Sequence, residues 1–265
     1  MPRQLVTVQL WGFYKVLIVQ RVGFPGADII HQHGKCKGVV VKYMLIILKL
    51  MVWMKRSIQM KVLLVNGSPH GKGCTYTGLS EVEKTLKEQG IETELFHIGV
   101  KPIRGCCDCR KCKETGRCAF DDDPVNTLIE KIIQADGVVI GSPVYYGGAN
   151  GALCALLDRV FFAASSQFCY KPGAAIVSCR RGGAGSAFDR LNKYFTISGM
   201  PVVSSQYWNS IHGMKPEEVL QDKEGLQIMR TLGLNMVWLL KNIEAGKGNI
   251  PLPTQEAWTP TNFIR

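Results

Sequence analysis

From Met60 onward, short apolar runs alternate with stretches of helical periodicity, and this alternation limits the folds open to the chain more than any other feature. Lys61 to Asn66 is a continuous β-rich run, the pattern of a strand buried on both faces. Thr75 to Gln89 has helical spacing and stops at Gly90, where a glycine suits a C-terminal cap. Glu92 to Ile98 sets Thr93, Leu95 and His97 against charged neighbours and reads as a strand at a sheet edge. The alternation then predicts a helix over Val125 to Gln134, a strand over Gly137 to Gly141 and a helix over Asn150 to Ala163. A strand over Ala174 to Ser178, a helix over Ala187 to Ile197 and a fifth strand over Val202 to Gln206 follow. Five strands with helical crossovers imply an α/β fold, a doubly wound parallel sheet with helices on both faces. A long last helix is expected from about Pro216 to Ile243, because Pro216 suits a first turn and Glu217 and Glu218 complement the helix dipole. Met229, Leu232, Met236, Leu239 and Ile243 recur at helical spacing as a packing stripe.

Residues 1–59 have no such pattern. They hold nine of the 32 basic residues and one of the 21 acids, a sum of +8, and leave 60–265 at +3 of the total +11. The positive balance therefore belongs largely to this segment and is poor evidence for a polyanion partner. Its longest apolar stretch, Val39 to Met54, is interrupted by Lys42 and Lys49 and falls short of the roughly 20 residues of a spanning helix, so no stable membrane insertion is expected. An interfacial helix or signal anchor is the alternative to an over-extended start or a poorly ordered leader, and the latter is the expectation here. Residues 60–265 are expected to form the folded domain, with a cysteine-rich loop at 101–124.

In a parallel open sheet, ligands bind beyond the carboxyl ends of the strands. Three loops would converge there. The first runs from Asn66 through Ser68, His70 and Gly73 to Cys74, Thr75 and Tyr76, and supplies hydroxyls and amides before a helix N-terminus, as a phosphate requires. It lacks the spacing of a triphosphatase loop or a GxGxxG dinucleotide loop. The second, Gly141-Ser142-Pro143-Val144-Tyr145-Tyr146-Gly147-Gly148, offers an apolar wall with close backbone access, which suits a planar ring. The third, Ser178 to Ser186, brings Arg180 and Arg181 beside Gly182 and Gly183, and cations there would stabilise negative charge developing on a ring. Singly, each has an ordinary reading as a glycine turn, a packed aromatic pair or a solvated arginine pair.

Taken together, Asn-Gly-Ser-Pro-His in the first loop, Gly-Ser-Pro-Val-Tyr-Tyr-Gly in the second and Asp158-Arg159 closing the next helix resemble the NAD(P)H-dependent FMN reductases of the flavodoxin-like superfamily. Within these, the chain is most similar to the iron-sulfur flavoproteins, over essentially everything after Met60. The resemblance implies a flavodoxin-like sheet of order 2-1-3-4-5, non-covalent FMN and a homodimer or homotetramer. By position, Ser68, His70, Gly73, Cys74, Thr75 and Tyr76 would hold the FMN phosphate. Pro143, Val144, Tyr145, Tyr146, Gly147 and Gly148 would line the ring, with Arg180, Arg181, Gly182 and Gly183 at its other edge. Many relatives carry Asn where this chain has Cys74, which removes a side-chain amide and keeps the backbone donor.

Of ten cysteines, Cys106, Cys107, Cys109, Cys112 and Cys118 fall within thirteen residues. With no secretory signal and no spaced framework, they read as reduced thiols of a cytoplasmic protein. Cys106, Cys109, Cys112 and Cys118 follow C-x2-C-x2-C-x5-C, close to ferredoxin runs that bind a [4Fe-4S] cluster and matching the compact motif of the iron-sulfur flavoproteins. Zinc, or redox thiols without metal, are the alternatives. Lys101, Arg104, Arg110, Lys111, Lys113 and Arg117 would offset the charge of such a site, and Asp123 reads as a helix cap before Pro124. The function implied is transfer of electrons from NAD(P)H through FMN to a quinone, a flavin or another acceptor, with no catalytic side chain demanded. An electron-transfer protein between carriers such as ferredoxin is the alternative. Asn209 and His212 are candidates for contact with substrate or a neighbouring subunit's flavin, although a lone His there more often has a structural role.

Overall fold

The computed structural model describes residues 6–9, 15–18, 59–257 and 259–261. The chain divides into two units, Met1–Ser57 and Ile58–Arg265. In the first, β1 (Val6–Gln9) and β2 (Lys15–Ile18) pair antiparallel. The Val39 to Met54 stretch lies outside the described residues, and among those no helix is long and apolar enough to cross a membrane.

The second unit is built on β3 (Lys61–Asn66), β4 (Glu92–His97), β5 (Gly137–Tyr145), β7 (Gly173–Cys179) and β8 (Ser210–His212). They form one parallel sheet in the order β4-β3-β5-β7-β8, which is 2-1-3-4-5 along the unit, with β4 at the edge as expected. A short β6 (Gly148–Ala149) folds back on β5. The two-residue alternation of a strand divides the core in two. Leu63, Val65, Val138, Ile140, Ala175 and Val177 face a cluster shared with α3 (Val125–Gln134), α4 (Gly151–Ala164) and α5 (Ala184–Ile197). Val62, Leu64, Val139, Ala174 and Ile176 face the other, shared with α1 (Cys74–Glu88) and α7 (Lys223–Gly246). Near-continuous apolar strands are thus required, since both faces of the sheet are covered.

Three expectations need correction. The strand expected at Gly137 to Gly141 continues to Tyr145, because the second loop is a hairpin: Tyr146 and Gly147 both have positive φ (49° and 78°), as a two-residue turn between β5 and β6 demands. The fifth strand is not Val202 to Gln206. Val202 makes only an isolated bridge to Gly173, the Ser204 carbonyl accepts from Asn235 Nδ2 of α7 at 2.8 Å, and pairing resumes at Ser210 opposite Val177. The long last helix is broken into α6 (Pro216–Val219) and α7, because Asp222 caps α7 by accepting the Gly225 N–H at 2.9 Å.

Candidate functional site

Asn66 closes β3 and shapes the loop after it. Its Oδ1 accepts the Ser68 N–H at 3.1 Å, and its Nδ2 donates to the carbonyls of His70 and Gly71 at 3.3 Å each. The Ser68 hydroxyl accepts the His70 N–H at 3.1 Å. His97, at the end of β4, donates from Nε2 to the Ser68 carbonyl at 2.8 Å, and since a carbonyl only accepts, that ring nitrogen carries the hydrogen. α1 then begins with Gly73 at its cap and no capping side chain. The amides of its first turn therefore remain available to an anion, at the positive end of the helix dipole.

The first and second loops are tied together through position 67. The Gly67 N–H donates to the Gly141 carbonyl at 2.8 Å, and Asn150 Nδ2 donates to the Gly67 carbonyl at 2.7 Å. A Cβ at 67 would lie 2.4 Å from Leu153 Cδ2 and 2.6 Å from the Gly141 carbonyl oxygen, so this approach needs glycine. Thr75 Oγ1 and Ser178 Oγ share a buried hydrogen bond of 2.8 Å, which links α1 to β7.

Beyond the carboxyl ends of β3, β5, β7 and β8 lies a cleft of about 730 Å³, within the usual size range of small-molecule sites. Of the residues expected at a ligand, Ser68, His70, Gly73, Cys74, Thr75, Pro143, Val144, Tyr145 and Arg180 line it. Tyr76, Tyr146, Gly147, Gly148, Arg181, Gly182 and Gly183 stand outside that lining. Tyr146 is fully exposed at the hairpin tip, and Gly183 packs under the hairpin turn, where a Cβ would lie 2.6 Å from Gly147 Cα. Lys72, inside the first loop, and Met214 and Lys215, which belong to none of the three loops, line the cleft as well. The misplaced fifth strand hid the last two, because they follow β8 directly. Burial pushes the Cys74 thiol up, with Glu218 and Glu217 adding to it against an opposing backbone hydrogen bond, and burial pushes Cys179 up as well. Both are neutral walls of the cleft rather than nucleophiles.

Asn209 and His212 have structural partners. Asn209 is buried and donates to the Ala175 carbonyl at 3.0 Å, and the backbone N–H of His212 donates to Asp222 at 2.7 Å.

The cysteine-rich loop forms a second site. Cys106, Cys109, Cys112 and Cys118 line one pocket, together with Cys107, Phe120 and Arg159. Cys106, Cys107 and Cys109 are exposed and Cys112, which opens the short α2 (Cys112–Thr115), is buried; burial pushes the Cys112 thiol up against an opposing backbone hydrogen bond, and the neighbouring Cys109, Cys118 and Cys106 push it the same way. Among the described residues no three His, Cys, Asp or Glu side chains stand where they could share one metal ion. The thiols ring a pocket and do not converge on a point. Of the six basic residues expected to neutralise them, the three arginines are engaged elsewhere: Arg104 pairs with Asp122, Arg110 with Asp108 and Arg117 with Glu130. Among the described residues, the cation that reaches a sulfur of this loop is Arg159 of α4. Asp123 is not the cap residue of α3, which is Pro124; it accepts the Val125 N–H at 3.3 Å with one oxygen and pairs with Arg159 through the other.

The model of the NADPH-dependent FMN reductase family matches residues 60–215. An iron-sulfur flavoprotein of Methanocaldococcus jannaschii is 33% identical over 193 residues, covering 70% of this chain and all of the relative. One from Methanosarcina thermophila is 28% identical over 193 residues, covering 71% of this chain and 99% of the relative. Among solved structures, RosB with bound 8-demethyl-8-formylriboflavin-5'-phosphate superimposes with a TM-score of 0.56 at 15% identity, over 78% of this chain and 95% of RosB, which supports the fold.

Proposed function

The chain belongs to the NADPH-dependent FMN reductase family, and from that premise we propose that it is a cytoplasmic FMN-dependent oxidoreductase, taking electrons from NAD(P)H and passing them to a quinone, a flavin or another acceptor. The observation that carries this reading is the convergence of three strand-end loops on one cleft beside an uncapped helix. FMN supplies the hydride- and electron-accepting ring. In this reading the Ser68 hydroxyl, the amides of Gly73 to Tyr76 and the cation of Lys72 hold the phosphate. Pro143, Val144 and Tyr145 form the wall against which the ring lies, while Arg180 offsets negative charge at its far edge. The hairpin Tyr146 to Gly148 and the turn Arg181 to Gly183 brace that wall. Exposed Tyr207, Trp208 and Trp238 offer apolar surface for a homodimer or homotetramer.

The cysteine pocket favours a second reading alongside the first, an electron-transfer protein with FMN and an iron-sulfur cluster that serves carriers such as ferredoxin. The donor set fits the group. A four-iron cluster takes four thiolates around its own volume, which suits thiols that ring a pocket. Cys106, Cys109, Cys112 and Cys118 would be its ligands, and Cys107 is the extra thiol.

Anaerobic mixing of the FMN-loaded protein with NADPH and NADH tests the reductase reading. Rapid bleaching of the flavin by either nucleotide is expected. Flavin that both leave oxidised, but that reduced ferredoxin bleaches, overturns the reductase and supports the carrier.

A further inference from the structure

Asp158 and Arg159 are neighbours on α4, and successive helical residues point about 100° apart. Asp158 turns to α5, where it accepts from Arg190 at 2.8 Å and from the Tyr194 hydroxyl. Arg159 turns the other way, into the cysteine-rich loop, and its residue is 2% exposed. A guanidinium has five N–H donors, and here each finds an acceptor. Nε and Nη2 donate to Cys118 Sγ at 3.3 and 3.2 Å, and Nη2 also donates to the Phe120 carbonyl at 3.4 Å. Nη1 donates to the Arg104 carbonyl at 3.3 Å and to the Asp123 carboxylate.

The allocation is unusual. Asp123 receives one donor, whereas the Nε/Nη2 edge, which arginine ordinarily offers to a carboxylate or phosphate, is directed at a single sulfur. A neutral thiol is a weak acceptor. Spending the anion-binding edge of a buried cation on sulfur is favourable where that sulfur is negative, as a ligating thiolate is. The Cys118 backbone is itself held in place: its N–H donates to Asn126 Oδ1 at 2.8 Å, and its carbonyl accepts from Asn126 Nδ2 at 3.0 Å.

We infer that Arg159, oriented by Asp123, is a positioning residue for the four-cysteine site, and that its hydrogen bonds to Cys118 raise the reduction potential of the iron-sulfur cluster held there. The inference rests on the cluster reading proposed above. Adding an electron makes the cluster more negative, so a donor pair and a nearby cation stabilise the reduced form more than the oxidised one. The competing account is that Arg159 only staples the loop through the Arg104 and Phe120 carbonyls. A staple changes stability and leaves the potential alone.

The full chain is reconstituted anaerobically with ferrous iron and sulfide, its iron and acid-labile sulfide are counted, and the cluster potential is measured by redox titration followed by electron paramagnetic resonance. Arg159→Gln is expected to shift the one-electron reduction equilibrium about tenfold toward the oxidised form, about 59 mV. Arg159→Lys, which restores the charge without the fork, is expected to recover part of that shift. Should Arg159→Gln fail to fold, Asp123→Asn provides the opposite arm: with less of the guanidinium charge neutralised, the potential rises. Wild-type potential in whichever of these variants fold and carry the cluster, whatever their thermal midpoints, overturns the inference and leaves the cluster reading standing. Wild-type protein that takes up neither iron nor sulfide overturns both.

Discussion

Gly183 sets how closely the third loop can approach the second. Its φ is +82°, and a Cβ there would lie 2.6 Å from Gly147 Cα and 2.9 Å from Val144 Cγ1. Backbone is the obstacle, so a larger residue cannot be accommodated by rotating a side chain. Gly183→Ala is expected to cost about 1–2 kcal/mol from the left-handed backbone alone, with the clash in addition, and to weaken FMN binding because Val144 belongs to the cleft wall. Gly185, in the first turn of α5, has open space around its Cα and serves as the control. Gly185→Ala is expected to leave the thermal midpoint unchanged or raise it, since alanine is favoured over glycine in a helix by up to about 1 kcal/mol. Thermal melts and flavin fluorescence titrations of the two variants check both expectations. At this scale residue type was a fair guide. The glycines of the loops were legible as places of close approach, whereas the role of Arg159 was not, because its partners lie 36 to 55 residues away along the chain.

Among the elements, two contacts set the ends of the sheet. Glu94 on edge strand β4 pairs with Lys131 of α3 and with Lys61 of β3. The hydrogen bond from Lys131, and then that from Lys61, hold its carboxyl below the usual glutamate range. A carboxyl depressed by folding contributes stability that is fully present above the ordinary glutamate value of about 4.3 and is lost as pH falls through the folded value. Glu94→Gln is therefore expected to be less stable than wild type at pH 7, with the gap closing as the pH is lowered below about 4; parallel unfolding curves from pH 7 to 3 measure it. At the other end, Asp222 caps α7 and also accepts the backbone N–H of His212 in β8. Asp222→Ala is expected to cost about 1–2 kcal/mol, a fall of roughly 2–8 °C in thermal midpoint for a domain of this size. Strand and helix boundaries followed the hydrophobic pattern where an element is buried on the core side. They failed where a single contact decides: the hairpin after Tyr145, the interrupted edge between Val202 and Ser210, and the cap at Asp222.

For the whole molecule, the consequence of the charge distribution is that residues 1–59 hold most of the positive balance while both core clusters are built from Met60 onward among the described residues. A chain beginning at Met60 is expected to keep the thermal midpoint and flavin affinity of the full chain. A marked loss of either would show that the first unit stabilises the second. The amino-acid sequence by itself determined the alternation of strands and helices, the two-sided burial, the loops at the carboxyl edge and the four-cysteine spacing, because each is written in local periodicity or in short motifs; the sheet order followed only from the resemblance those motifs carry. The tertiary structure alone decided which loop residues face the cleft, that Lys215 joins Ser68 there, and that Arg159 rather than the loop's own cations meets the Cys118 sulfur. These depend on contacts between segments far apart in the chain, whose geometry exists only once both faces of the sheet are packed.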